Sequence, residues 1–194
     1  MHKIILASSS AVRKKILEDN GIKCKVFPSN VDEEPVKKSL LSKKVSPEVI
    51  SKNLAELKAN KISQKETEAI VLGADSVIDL NGIIISKPAD REEALNILQK
   101  LNGNKHQLIS SVCISKNGSM IWNFTDKATL TMKNMTSEEL KVYLNKINDE
   151  TLYAYNVYQI EGEGKFLFSK IEGDKDTIMG LPIKKIKEYL KVLK

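Results

Sequence analysis

The sequence predicts an α/β chain in which a mixed sheet is flanked by helices, and three observations predict it. A short apolar run, Lys3–Ala7, leads through Ser8-Ser9-Ser10 into a helical pattern. The most apolar stretch, Ala69–Ile78, is followed by Asn81-Gly82, the signal of a hairpin. Two capping-box spacings, Asp90 with Glu93 and Thr136 with Glu139, open helices between further strand patterns. The resulting order is neither a strict β-α-β alternation nor an all-β meander.

Taken in order, Lys3–Ala7 reads as a short buried strand and Ala11–Asn20 as a helix that Gly21 stops. Ile22, Cys24 and Val26 alternate with lysines as in a half-buried strand, and Pro28 opens a polar loop carrying Asp32-Glu33-Glu34. The lysine-rich stretch Lys37–Lys44 reads as exposed. Ser46-Pro47 starts a helix on which Ile50, Leu54 and Leu57 recur at helical spacing and which carries Lys58 and Lys61. Ala69–Ile78 pairs with Ile83–Ser86 across the hairpin, and Asn102-Gly103 ends the helix that buries Ala94, Leu98 and Leu101. Gln107–Ser115 and Met120–Met132 are strands joined at Asn117-Gly118. Leu140, Leu144 and Ile147 mark the next helix, Tyr153–Ile160 with Lys165–Ile171 reads as another strand pair, and a last helix follows Gly180-Leu181-Pro182. Internal repeats and Gly/Ser-rich linkers are absent.

At 194 residues the chain is one domain, or two lobes sharing a core. With 41% hydrophobic residues it buries about 70% of its unfolded surface and needs no disulfide or structural metal. The net charge, 31 − 25 = +6, favours anionic partners, while an aromatic content of 5% weighs against an extended single-strand binding surface. Most of that charge is a solvated lysine coat, since Arg13 and Arg91 are the only arginines. Cys24 and Cys113 lie far apart and read as core residues, and the only histidines are His2 and His106. Thiol redox, zinc and histidine-pair chemistry therefore have little material. Ile4–Ala7 is too short for a signal-peptide core and no later run approaches the roughly 18 residues of a membrane span, so a cytoplasmic setting is expected.

The glycine-rich phosphate motifs of P-loop and dinucleotide-binding proteins are missing. One candidate anion site is Ser8-Ser9-Ser10 with Arg13 and Lys14, where hydroxyls, free N–H groups at a helix start and a guanidinium fork would meet phosphate oxygens. The other reading of the same residues is a serine cap beside a surface arginine. Asp75 is the sharper signal, because a carboxylate within an apolar strand must be bonded, paired, metal-bound or functional. Its alternative is a strand-end turn. Asp32, Glu33 and Glu34 offer carboxylates to a hard cation or form a solvated loop; Lys58 and Lys87 reach the same phosphates, or Lys58 sits on a solvated helix face and Lys87 simply precedes a proline turn.

Together, Ile5-Leu6-Ala7-Ser8-Ser9-Ser10 with Arg13, Val31-Asp32-Glu33, Leu54-Ala55 with Lys58-Ala59, Gly73-Ala74-Asp75, Ser86-Lys87-Pro88, Leu101-Asn102-Gly103 with His106, and Gly180-Leu181-Pro182 resemble the Maf-type nucleotide pyrophosphatases over essentially the whole chain. The resemblance implies a single two-lobed domain over 1–194 with a central cleft, related to the inosine-triphosphate pyrophosphatase architecture, and a homodimer. It implies hydrolysis of a nucleoside triphosphate to monophosphate and pyrophosphate, house-cleaning of modified or noncanonical nucleotides, and a link to cell-division arrest.

By the same resemblance Asp75 is the base that activates water, and Glu33 with Asp75 holds a divalent cation, magnesium or manganese. Ser8, Ser10, Arg13, Lys58 and Lys87 grip the triphosphate. Val12, Ser76 and Glu161 stand at specificity positions: Val12 departs from the family's S-P-R-R pattern and Ser76 and Glu161 from its pyrimidine branch, while Val12 and Ser76 also lack the tryptophan and the glutamine of the branch that hydrolyses 7-methyl-GTP. Glu161 tilts the reading toward a modified purine, whose N–H donors a carboxylate accepts. The main alternative is a nucleotide-binding regulator with weak or no hydrolysis. A nucleic-acid-binding module using the +6 charge is a third reading, which predicts salt-sensitive polynucleotide affinity; no nucleic acid or membrane partner is expected.

Overall fold

The computed structural model describes residues 3–193, apart from the side chains of Ala154 and Tyr155; His2 lies outside the described residues. The chain runs β1 (Ile4–Leu6), α1 (Ala11–Asp19), β2 (Lys25–Val26), α2 (Glu33–Ser42), α3 (Pro47–Ser63), β3 (Ile70–Leu80), β4 (Ile83–Ile85) and α4 (Arg91–Leu101). It continues through β5 (Lys105–Lys116), β6 (Ser119–Met132), α5 (Ser137–Asn145), α6 (Asp149–Tyr155), a 3-10 turn (Glu163–Leu167), β7 (Phe168–Glu172), α7 (Lys175–Ile178) and α8 (Ile183–Val192). The strands are ordered β2-β1-β3-β5-β6-β7, with β4 beside β3. β1 is parallel to β2 and β3, whereas β3–β4 and β6–β7 are antiparallel, so the sheet is mixed as predicted.

The chain divides into two compact units, one of Met1–Ser76, Ile109–Lys127 and Asp174–Lys194, the other of Val77–Leu108 and Ala128–Gly173. In the first, the period-2 alternation of β3 decides what each face touches. Ile70, Leu72 and Ala74 join Leu6, Leu17, Ile114 and Ile186 in one apolar cluster. Val71 faces the other way, into a cluster with Ile5, Ala7 and Ile62 of α3. On that second face Gly73 lies against α3, where an added Cβ would stand 2.3 Å from the Ala55 carbonyl oxygen and 2.7 Å from the Ala59 nitrogen. The missing side chain is what lets α3 lie this close to the strand.

In the second unit α4 buries Ala94, Ile97, Leu98 and Leu101. Asn102 clips the chain before α5 with both ends of its amide, donating to the Met135 carbonyl at 2.7 Å and accepting from the Met135 N–H at 2.9 Å. Arg91 joins Asp149 to the carbonyls of Leu144 and Ile147. His106 is buried against the Tyr158 hydroxyl at 2.9 Å, and burial lowers its pKa to about 4, so the ring is neutral at physiological pH.

Local signals explain most boundaries. Ser46, Asp90 and Thr136 cap their helices as predicted, Ser10 caps α1 as the alternative reading of the serine turn had it, and Asn81 and Asn117 take the positive φ that their hairpin turns require. Three expectations are corrected. Asp32-Glu33-Glu34 is not a loop: Asp32 precedes α2, two glutamates occupy its positive end, and Pro35 falls in the first turn, where its missing N–H costs nothing. The predicted strand at Ile22–Val26 shrinks to two residues because Ile22 and Cys24 pack against the core instead of pairing. Tyr153–Ile160 is not a strand: Asn148 accepts from the Thr151 N–H and starts α6, and Asn156 breaks away at φ 68°. Among the described residues no helix is long and apolar enough to cross a membrane.

Gly73→Ala should lower unfolding free energy in urea by at least about 3 kcal/mol, since both nearest atoms are backbone and cannot swing aside. A loss below about 1 kcal/mol would show that α3 is free to shift.

Candidate active site

Because Asp75 has the same parity as Val71 and Gly73, its side chain leaves β3 toward α3. Ser51 and Lys58 are seven residues apart, two helical turns on one face. Ser51 donates from Oγ to the Asp75 carbonyl oxygen at 3.1 Å, and Lys58 Nζ donates to Asp75 Oδ1 at 2.7 Å. The same ammonium stands 2.9 Å from Glu33 Oε1 at the start of α2. Lys58 therefore bridges two carboxylates and is itself buried at 8% exposure, which removes the solvated-face reading for this lysine. The strand-end alternative for Asp75 also fails, since the residue lies within β3 at 6% exposure.

Burial raises the Asp75 pKa above the usual aspartate value; the adjacent Lys58 charge and hydrogen bond, and Arg13 farther off, oppose that rise without cancelling it. Asp75 Oδ2 is buried and has no hydrogen-bond partner. A carboxylate oxygen with unused acceptor capacity suits proton abstraction, and with Glu33 held on the same ammonium it also suits a divalent cation whose remaining ligands are substrate oxygens. Among the described residues no group of three or more His, Cys, Asp or Glu is placed to hold a metal alone. The donor set thus fits a cation shared with phosphates, not a protein-enclosed one.

The opposite face of β3 carries the serine turn. Ser10 Oγ accepts the Arg13 N–H, and the Ser10 N–H donates to Ser8 Oγ at 3.3 Å. Arg13 reaches back across the strand: Nε donates to the Gly180 carbonyl at 3.0 Å, Nη1 to Ser8 Oγ at 3.2 Å and the Ala74 carbonyl at 3.0 Å, and Nη2 to Ser76 Oγ at 3.1 Å. Four protein acceptors leave at most one of its five N–H groups for a phosphate. The surface-arginine reading is thus excluded.

Lys58 brings Asp75 and Glu33 together, and Arg13 brings Ser8 and Ser76 together. Val12 is partly buried against the core cluster of Leu6 and Leu17. Lys87, just beyond β4, and Glu161, in the turn before the 3-10 segment, are exposed residues of the second unit. Sequence reasoning missed Ser51 and Ser110, which carry no signal that separates them from other serines, and the Gly180 carbonyl.

A family model described as "Maf-like protein" matches residues 3–193. The chain belongs to the Maf-like proteins. A relative from Pelagibacter ubique, named nucleoside triphosphate pyrophosphatase, is 76% identical over 192 residues, covering 99% of this chain and 98% of that one. A relative from Rhizobium etli, named 7-methyl-GTP pyrophosphatase, is 35% identical over 181 residues, covering 93% of this chain and 91% of that one. The solved structure of a HAM1 protein from Coxiella burnetii is similar over 68% of this chain and 73% of that chain, with 15% identity and a TM-score of 0.44. At that score the likeness adds nothing to the fold of this Maf-like chain described above.

Lys58→Met removes the cation from between two carboxylates and should destabilise the protein by about 3 kcal/mol at pH 7. The loss should shrink as pH falls and Asp75 takes up a proton; denaturant titrations at pH 7 and pH 5 test this, and an equal loss at both would mean that Asp75 does not titrate with its surroundings.

Proposed function

We propose that this chain is a nucleoside triphosphate pyrophosphatase that releases monophosphate and pyrophosphate. The observation that carries the reading is a buried Asp75 carboxylate, tuned upward in pKa, with one oxygen on Lys58 and the other without a partner. Hydrolysis at the α-phosphorus needs a base to take a proton from water and cations to neutralise the leaving pyrophosphate. Asp75 Oδ2 is the base. Lys58 holds the carboxylate in place and lends positive charge, with the Ser8 and Ser10 hydroxyls meeting the phosphate chain. A magnesium or manganese ion held by Asp75 and Glu33 would supply further charge neutralisation when bound.

The names of the relatives support the same reaction, and the two named activities leave the base to be decided among ordinary and methylated nucleotides. Glu161 is our candidate for that choice, as an exposed carboxylate able to accept from purine N–H donors, and house-cleaning of modified nucleotides is the role we assign. A homodimer and a cytoplasmic location belong to the same proposal.

The test is to incubate the protein with magnesium or manganese and a panel of ordinary, methylated and deaminated nucleoside triphosphates, measuring both products beside Asp75→Asn. The variant should fold, bind nucleotide and turn over about 10²–10⁴-fold more slowly. Because Asp75 must be ionised to act, wild-type activity should fall as pH drops through a value above the ordinary aspartate pKa of 3.8. Near-normal turnover in the variant would remove Asp75 as base, and binding without product release from wild type would leave a nucleotide-binding regulator.

A further inference from the structure

We propose that Ser110, a fully buried residue of β5, is a positioning residue that orients Arg13, and through it Ser8, by a one-way hydrogen-bond chain. The proposal rests on the reading above in that it takes Ser8 as a phosphate contact.

The direction of the chain follows from counting protons. A serine hydroxyl has one proton and two lone pairs. Ser110 Oγ donates its proton to the Thr177 carbonyl oxygen at 2.8 Å. In the 2.8 Å contact between Ser110 Oγ and Ser76 Oγ, Ser76 must therefore be the donor. Its proton spent, Ser76 Oγ is left as the acceptor for Arg13 Nη2 at 3.1 Å. Each member thus has a single role: Arg13 donates to Ser76, Ser76 to Ser110, and Ser110 to Thr177.

The anchor end is fixed independently. Thr177 is fully buried, and its own hydroxyl donates to Asp126 Oδ2 at 2.7 Å. At the other end the guanidinium donates to the Ala74 and Gly180 carbonyls and to Ser8 Oγ, which also accepts the Ser10 N–H. Ser8 thereby receives two hydrogen bonds, and its own proton remains to be donated to an incoming anion oxygen. Gly180 belongs to the arrangement, since at φ +93° an added Cβ would stand 3.1 Å from Ser76 Oγ and 3.2 Å from Arg13 Nε. Here Ser76 is committed to Arg13 and Ser110, and its hydroxyl has no proton left for a nucleotide base. Arg13 serves the triphosphate mainly by holding Ser8.

The test uses the scarcity of arginine. With Arg13 and Arg91 the only two, the arginine Nε–H region of a proton–nitrogen spectrum holds two signals, and Arg91→Lys assigns them. Ser110→Ala should speed solvent exchange of the Arg13 Nε–H by about tenfold and leave that of Arg91 unchanged. KM for the preferred triphosphate should rise about fivefold while kcat stays within about threefold, and Ser110→Thr should restore both. Ser76→Ala breaks the chain at its middle while leaving Ser110 on Thr177, and should give the same exchange and KM changes if Ser110→Ala does not fold. Unchanged Arg13 exchange, or unchanged KM, in folded variants would overturn the proposal and confine Ser110 to packing within the strand. Should wild type hydrolyse no nucleotide, the proposed function fails separately; affinity for inorganic tripolyphosphate then replaces KM, with the same outcomes deciding the chain.

Discussion

Everything in the candidate site depends on how the charge of Asp75 is tolerated inside β3. An unpaired carboxylate there would be strongly disfavoured, and desolvation is indeed the largest influence on its pKa. Lys58 offsets it from 2.7 Å, a contact that requires α3 to lie almost against the strand. Gly73 makes that approach available, and Ser51 adds a bond to the Asp75 backbone on the same helix face. Small residues at 55, 59 and 73 are as much part of the chemistry as the charged ones, because they set the distance over which the pair acts.

The alternation of β3 lets one strand serve two groups of residues. Asp75 points to α3 and Glu33, where charge is concentrated; Ser76 points to Arg13, Ser110 and the Gly180 turn, where hydrogen bonds are directional. The first group supplies a base and a place for positive charge. The second holds the serine turn at the head of α1, where N–H groups and hydroxyls favour an anion. Their covalent connection through a single peptide unit keeps the two groups in register.

Much of the fold was legible because capping residues, hairpin asparagines and apolar periodicity act over a few residues. Asp75 stood out as an ionisable residue in an apolar strand, and Arg13 as an arginine in a lysine-rich chain. Where tertiary contacts decide, legibility ended. Lys58 continues the i, i+4 stripe of Ile50 and Leu54, so its burial was legible in the spacing of α3, but the carboxylates that meet it come from residues 33 and 75, and the acceptors of Arg13 from residues 8, 74, 76 and 180, which only folding brings together. The misread segment at Tyr153–Ile160 has the aromatic and branched composition of a strand, but an asparagine cap and an acidic first turn win locally.

Burial outweighs the Lys58 ion pair in the protonation of Asp75 and leaves the pKa above its ordinary value. Following the Asp75 carboxyl carbon by NMR through a pH titration of the folded protein tests it most directly. The expected midpoint lies above 3.8, the ordinary aspartate value. A midpoint at or below that value would mean that Lys58 dominates, leaving Asp75 as a structural ion-pair partner too weakly basic for the role assigned to it.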